Sequence, residues 1–190
     1  MAETRNPRER KPPRPVTAKS LDNAAVFYLS RFASSSGNLR RVLMRKVARG
    51  GGDSAEGAAL IEALIARYLA SGLLNDQAYA ASAAASLARR GASRYVVAGK
   101  LAQKGVPADL VKEAIANLAD NGSSELTSVC ALIRRRRLGP YRDPAKRDDY
   151  RQKDLATLAR AGFGIDLARR ALQVADVEGL EALARGDAED

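Results

Sequence analysis

Apolar residues recur along the chain every three to four positions, the spacing that lines one face of a helix, and nowhere alternate as a half-buried strand would. From near Leu21 to Ala33, Leu21, Ala25, Tyr28 and Phe32 form one stripe. Asn38 can cap the next segment, "LRRVLMRKVA", with Leu39 and Leu43 inward and Arg40, Arg41 and Arg45 mostly outward. After the break "RGGGDS", Asp53 or Ser54 opens a longer helix with the stripe Ile61, Leu64, Ile65 and Tyr68, closed by Gly72. A second group begins at Asn75 or Asp76, turns Tyr79, Ala83 and Leu87 inward, and stops at Gly91. Ser93 opens "RYVVAGKLAQKG", which buries Val97 and Leu101 and stops at Gly105. Pro107 suits the first turn of the following helix, whose face is Leu110, Val111, Ala114, Ile115 and Leu118. A third group runs from Ser123 or Ser124 through "ELTSVCALIRRRR", with Leu126, Val129, Cys130 and Ile133 on its stripe. The basic loop "LGPYRDPAKR" leads on to "DYRQKDLATLARAG" and "IDLARRALQV". About nine helices result, and the fold class is all-α.

These groups repeat. A shift of 57 residues lays Leu101 on Leu158, Gly105 on Gly162, Val106 on Phe163, Leu110 on Leu167, Ala114 on Ala171 and Ile115 on Leu172. A shift of 58 lays Leu43 and Lys46 on Leu101 and Lys104, although Val47 stands where the glycine should be. The pattern predicts three tandem three-helix units over 20–73, 74–122 and 123–175. Repeats too small to bury enough surface alone stack into a continuous, often curved body. A Pro- and Arg-rich segment over 1–19 reads as a disordered basic tail, and 176–190 as an acidic C-terminal tail that continues at most as a weak helix.

Composition narrows the function. Only 5% of the 190 residues are aromatic and none is tryptophan, which suits cores of closely packed Ala and Leu helices. The net charge of +10 favours polyanionic partners, with nucleic acid first among them. Cys130 is the only cysteine, so no intrachain disulfide forms, and its apolar stripe position makes it a small hydrophobe. Histidine is absent, which removes the usual general base and the commonest transition-metal ligand. No window approaches the roughly 18 apolar residues of a membrane span, and the N-terminus carries no apolar signal core. The expectation is a cytoplasmic protein with no membrane association.

The motifs that might carry catalysis fall short. In "VVAGKL", Arg94 holds the first glycine position of a phosphate loop and Leu101 the hydroxyl position, so both loop flexibility and the Mg²⁺ ligand are missing. "RGGGDSAEG" lacks the strand-to-helix frame of a dinucleotide site, and one of Asp148 and Asp149 is more economically a helix N-cap. A helix-turn-helix over 93–115 would present "ADLVKEAIANLA" to a groove, yet that helix has no basic face. No catalytic, cofactor-binding or metal-binding residue is expected, and the chain is not read as an enzyme.

The cations are more informative. Arg40, Arg41, Arg45 and Lys46 lie on the second helix of the first group, and Arg89, Arg90, Arg94, Lys100 and Lys104 flank its counterpart in the second. Arg134, Arg135, Arg136 and Arg137 end a helix, where cations complement the dipole, but four in succession sweep most of its circumference. With Arg142, Lys146, Arg147, Arg151 and Lys153 they form a basic block. Scattered solvated charge is the plain alternative. Few rings accompany these cations, so base stacking is not expected to dominate binding.

Between Leu60 and Leu118 the order Leu73, Leu74, Asn75, Asp76, Tyr79, then Arg89, Arg90, Gly91, then Lys104 and Gly105, together with "DLATLARAGFGIDLARRAL" later, resembles the RecX regulators of the bacterial recombinase RecA. The resemblance covers roughly Leu21 to Val174. It implies an elongated, curved array of three-helix repeats that binds the RecA filament on DNA and suppresses ATP hydrolysis, strand exchange and co-protease activity in recombination, repair and the SOS response. A monomer that meets single- or double-stranded DNA through its basic surface, with no cofactor, is expected. Arg40, Arg41, Arg45, Lys46, Arg89, Arg90, Arg94, Lys100 and Lys104, with Arg134 to Arg137, Arg151 and Lys153, are the candidate RecA or DNA contacts. Val47 and the inserted "GGGDSAEG" depart from the family pattern in the first unit. An autonomous helical DNA- or RNA-binding regulator is the other reading of the same charges.

Overall fold

The computed structural model describes residues 16–50, 53–120 and 124–187, and every regular element among them is helical. The expected basic tail lies outside the described residues up to position 15, as do Gly51, Gly52, Ser123 and positions 188–190. Among the described residues there are ten α-helices and two single-turn 3₁₀ segments, where about nine helices were expected. The chain divides into two compact units, Met1–Leu74 and Asn75–Asp190.

The first unit contains α1 (Ala18–Leu29), α2 (Ser36–Arg49) and α3 (Ser54–Ala70). Its core joins Leu21, Ala25, Leu39, Leu43, Val47, Ile61, Leu64, Ile65, Tyr68 and Leu74. Burying each of the large side chains is worth about 1.5–3 kcal/mol before chain entropy is counted. The stripe of α1 ends sooner than its periodicity suggests, because the helix stops at Leu29 and leaves Phe32 55% exposed. Ser30 stands at the C-cap of α1, its hydroxyl donating to Phe27 O at 3.0 Å, and Ser35 opens α2 by accepting from the Asn38 N–H at 3.1 Å. Asn38 is therefore not the cap. Its side-chain amide instead donates to the Tyr28 and Ser34 hydroxyls, each at 2.9 Å, bracing α2 against α1.

Val47 has a clear consequence. Where the other groups place a helix-ending glycine, Val47 is buried and α2 continues to Arg49. The bulk is accommodated by Gly57 on α3, where a Cβ would come within 2.6 Å of Val47 Cγ1. α3 thus supplies, at Gly57, the small residue that the buried Val47 requires.

The second unit opens with α4 (Asp76–Arg89), α5 (Arg94–Gln103) and α6 (Ala108–Asp120). Asn75 caps α4 by accepting from the Ala78 N–H at 2.9 Å, and Ser93 caps α5. The buried face of α4 is Ala80, Ala84 and Ala88, with Tyr79, Ala83 and Leu87 only partly buried beside it. The inward register is one residue from that expected, because methyl side chains let α4 approach its neighbours closely while the larger groups seal the flanks. The repeated stop is geometrically the same in both copies. Gly105 N–H donates to Ala102 O and Val106 N–H to Leu101 O, just as Gly162 donates to Ala159 O and Phe163 to Leu158 O. Both glycines have left-handed backbones, and Val106 and Phe163 fold back into their cores.

α7 (Glu125–Arg136), α8 (Arg147–Arg160) and α9 (Ile165–Leu172) form the third group, joined by α10 (Val177–Arg185). Ser124 caps α7. The segment taken from sequence as an acidic tail carries α10, whose Leu180 and Leu183 are buried with Val129, Ile133 and Leu158. Its i, i+3 leucine pair was the signal, obscured by the surrounding Asp and Glu. Neither Asp148 nor Asp149 caps α8; both lie within its first turn, where they complement the helix dipole.

Candidate nucleic-acid and partner interface

The second and third groups are welded inside one unit. Gly91 ends α4 with φ of 79°, and a Cβ there would sit 2.6 Å from the backbone nitrogen of Leu132 on α7. Only glycine permits both that turn and that approach. The Ser93 hydroxyl donates to Ala161 O at 2.7 Å, and Arg135 Nη1 donates to Arg90 O at 2.6 Å. Arg94 N–H reaches Glu125 Oε1 at 3.4 Å.

Two clefts open where α4 and α7 meet. A groove of about 210 Å³ is lined by Arg90, Lys100, Arg135 and Arg136 together with Leu87, Gly91, Ala92, Val96, Leu132 and Ala161. None of its lining residues is acidic. The second cleft, about 380 Å³, lies between α4, α7 and α10, with Arg89, Arg134 and Arg185 beside Thr127, Ser128, Cys130 and Glu181. Here charge is compensated: Arg134 faces Glu181 at 3.4 Å and Arg185 faces Asp187 at 2.7 Å. The Cys130 thiol is pushed up to about 11 by burial and then by the Glu181 charge, so it stays protonated and behaves as a hydrophobe. Burial, then Glu181, likewise raises Tyr141, whose hydroxyl donates to Glu181 Oε1 at 3.3 Å.

The remaining sequence candidates scatter. Arg40 is engaged within its own unit, paired with Glu62 through two hydrogen bonds, one of them 2.7 Å. The Arg40 hydrogen bond holds the Glu62 carboxyl below its ordinary range despite some desolvation. Arg41, Arg45 and Lys46 are exposed on α2. Arg94 and Lys104 are exposed at the two ends of α5 and line neither cleft. Arg151 and Lys153 project from α8, with Lys153 Nζ 5.6 Å from the centre of the Tyr150 ring. Arg137 takes the left-handed position after α7 at φ of 53°, a place the other groups give to glycine, and lies 5.7 Å from the Tyr141 ring.

Two members of the supposed basic block are structural. Arg142 makes a two-pronged pair with the buried Asp154, at 2.7 and 2.6 Å, while Gly139 N–H donates to the same carboxylate at 2.9 Å. Arg147 donates to the carbonyls of Arg142 at 3.3 Å, Pro140 at 2.9 Å and Ala175. These contacts fold the 138–148 loop against α8, and no spacing rule announces them. Periodicity also gave no warning that Tyr95 would stand 79% exposed on α5. Among the described residues there is no cluster of three metal-binding side chains, and no helix is long and apolar enough to cross a membrane.

Comparison with known proteins bears on this architecture. A family model described as RecX, second three-helix domain, matches residues 75–115, which span α4, α5 and most of α6. The chain is 44% identical over 167 residues to Regulatory protein RecX of Myxococcus xanthus (strain DK1622), covering 85% of this chain and 89% of the relative. It is 35% identical to Regulatory protein RecX of Leptothrix cholodnii (strain ATCC 51168 / LMG 8142 / SP-6), over 84% of this chain and 91% of the relative. Regulatory protein RecX of Agrobacterium fabrum (strain C58 / ATCC 33970) is 28% identical over 85% and 86%. No solved structure matches the chain.

Proposed function

The chain belongs to the RecX family of regulatory proteins, and from that premise we propose that it binds the RecA filament on DNA and restrains its ATPase, strand-exchange and co-protease activities. Its three helix groups are, on this reading, the three units of a RecX chain over 20–73, 74–122 and 123–175. Its work is regulatory and needs no cofactor, and its setting is the cytoplasm, where recombination, repair and the SOS response proceed.

The acid-free groove at the α4–α7 junction is the observation that carries the reading, because it turns four dispersed sequence positions into one cationic surface. Such a surface is drawn to phosphate backbones and acidic protein faces without a catalytic pocket. Several modest contacts spread over neighbouring filament subunits gain affinity through effective concentration. Arg41, Arg45 and Lys46 in the first unit, and Arg151 and Lys153 on α8, supply further exposed charge for such an extended contact.

ATP hydrolysis by RecA on single-stranded DNA, titrated with this protein, tests the proposal. Hydrolysis falls as protein is added, at concentrations too low to coat the DNA alone. Undiminished hydrolysis, with tight binding to DNA in the absence of RecA, would favour the autonomous nucleic-acid regulator instead.

A further inference from the structure

The groove has a feature that a purely protein-facing surface does not need. Tyr95 is an exposed ring at the start of α5, and it lies against Gly162: a Cβ on that glycine would be 3.2 Å from Tyr95 Cδ1. Gly162 directly follows Ala161, which lines the groove, and Tyr95 directly precedes Val96, which also lines it. An exposed aromatic ring therefore lies next to Ala161, at the margin of a slot lined by four cations and no acid, without itself lining it. Tyr95 has no cation–π partner among the described residues.

We propose that this groove is a single-strand-selective nucleic-acid subsite, in which Lys100, Arg135, Arg136 and Arg90 take backbone phosphates and Tyr95 stacks on an unpaired base. The proposal rests on the regulatory reading above and deepens it by assigning this part of the surface to nucleic acid rather than to protein. Three observations favour the assignment. Guanidinium groups match phosphate oxygens in two-pronged geometry, and three of the four cations are arginines. The absence of any lining carboxylate leaves the field unopposed, whereas the neighbouring cleft is compensated by Glu181. An aromatic face beside a backbone-tracking cation row is what single strands recognise, because paired bases have no free face to offer.

The groove is also held open before any ligand arrives. Gly91 brings α4 onto α7, Arg135 is fixed by its bond to Arg90 O, and Arg90 is fixed by bonds of 3.0 Å to Ser86 O and Ser86 Oγ. Arg135 and Arg90 each retain further guanidinium N–H groups for phosphate, since these contacts use only part of each fork. A preorganised subsite loses less side-chain entropy on binding than a row of free lysines would.

Fluorescence anisotropy of a labelled oligothymidylate, its duplex counterpart and a labelled polyglutamate, at two salt concentrations with the full chain and no RecA, tests this. The single strand binds tighter than the duplex. Tyr95→Ala weakens it about tenfold with the salt slope unchanged, and Lys100→Glu with Arg136→Glu reduces the slope. Both variants keep the wild-type circular dichroism. Equal affinity for duplex and single strand, an unaffected Tyr95→Ala, or preferential binding of polyglutamate would each overturn the subsite. RecA ATP hydrolysis measured on the same samples separates this from the broader reading. A wild-type protein that fails to inhibit defeats the regulatory proposal, whereas inhibition with Tyr95 immaterial to strand binding defeats only the subsite.

Discussion

The groove beside α5 and the cleft beside α10 are built on the same two helices, yet they are electrostatic opposites. Residues 132, 135 and 136 of α7 face the first; residues 127, 131 and 134 face the second. Both draw cations from the same run of arginines. Only the α10 cleft is given a carboxylate, Glu181, and that carboxylate arrives on a helix whose acidic sequence looked like a tail. A row of like charges thus becomes two surfaces according to what packs next to each face.

The largest effect is expected from removing what both clefts share. Gly91→Val forces a branched side chain into a left-handed backbone and into the backbone of Leu132, and should cost about 2–5 kcal/mol. Thermal unfolding would show the loss, together with failure of either cleft to form.

Asp154→Ala should act on one side of the comparison. It leaves Arg142 without its partner and frees the Gly139 amide, at a cost of about 2–3 kcal/mol given that Arg142 keeps some solvent contact. The 138–148 loop positions Tyr141 against Glu181, so hydrogen exchange should rise in that loop and in α10 while α4 and α5 hold their protection.

A smaller change should make the two clefts alike. Glu181→Gln removes the compensating charge beside Arg134, and binding to single-stranded DNA should tighten about two- to fivefold at low salt, with a salt slope steeper by up to about one unit. An unchanged slope would mean that the α10 cleft is closed to phosphate for reasons of shape.

The smallest effect concerns the fourth arginine of the run. Arg137 ends α7 in a backbone region that suits glycine, so Arg137→Gly should raise stability by up to about 1 kcal/mol. If inhibition of RecA weakens at the same time, the strained arginine is kept for its charge.

Much of this architecture could be read in advance, and the failures have identifiable causes. Stops at Gly72, Gly91, Gly105 and Gly162 and caps at Asn75 and Ser93 were legible because they are local, each fixed by one residue and its neighbours along the chain. The register of α4 was not, since a run of alanines offers several equivalent faces and the choice among them falls to the packing partner. The candidate surface was legible as charge but not as geometry. Arg142, Arg147 and Arg40 look like any other exposed cation until Asp154, the loop carbonyls and Glu62 are brought beside them. Arg90, Lys100, Arg135 and Arg136 lie up to 46 positions apart, and only the close approach at Gly91 makes them one groove.

A matched pair of double charge reversals tests the central claim most directly. Lys100→Glu with Arg136→Glu alters the acid-free groove, and Arg89→Glu with Arg134→Glu alters the compensated cleft by the same total charge. Inhibition of RecA ATP hydrolysis is titrated for both, at physiological salt, after circular dichroism has shown each folded. The groove variant should lose at least about tenfold in inhibitory potency, as expected for several lost phosphate contacts, and the cleft variant only a fewfold. Equal losses would reduce the groove to undifferentiated surface charge, and a larger loss in the cleft variant would contradict the account outright.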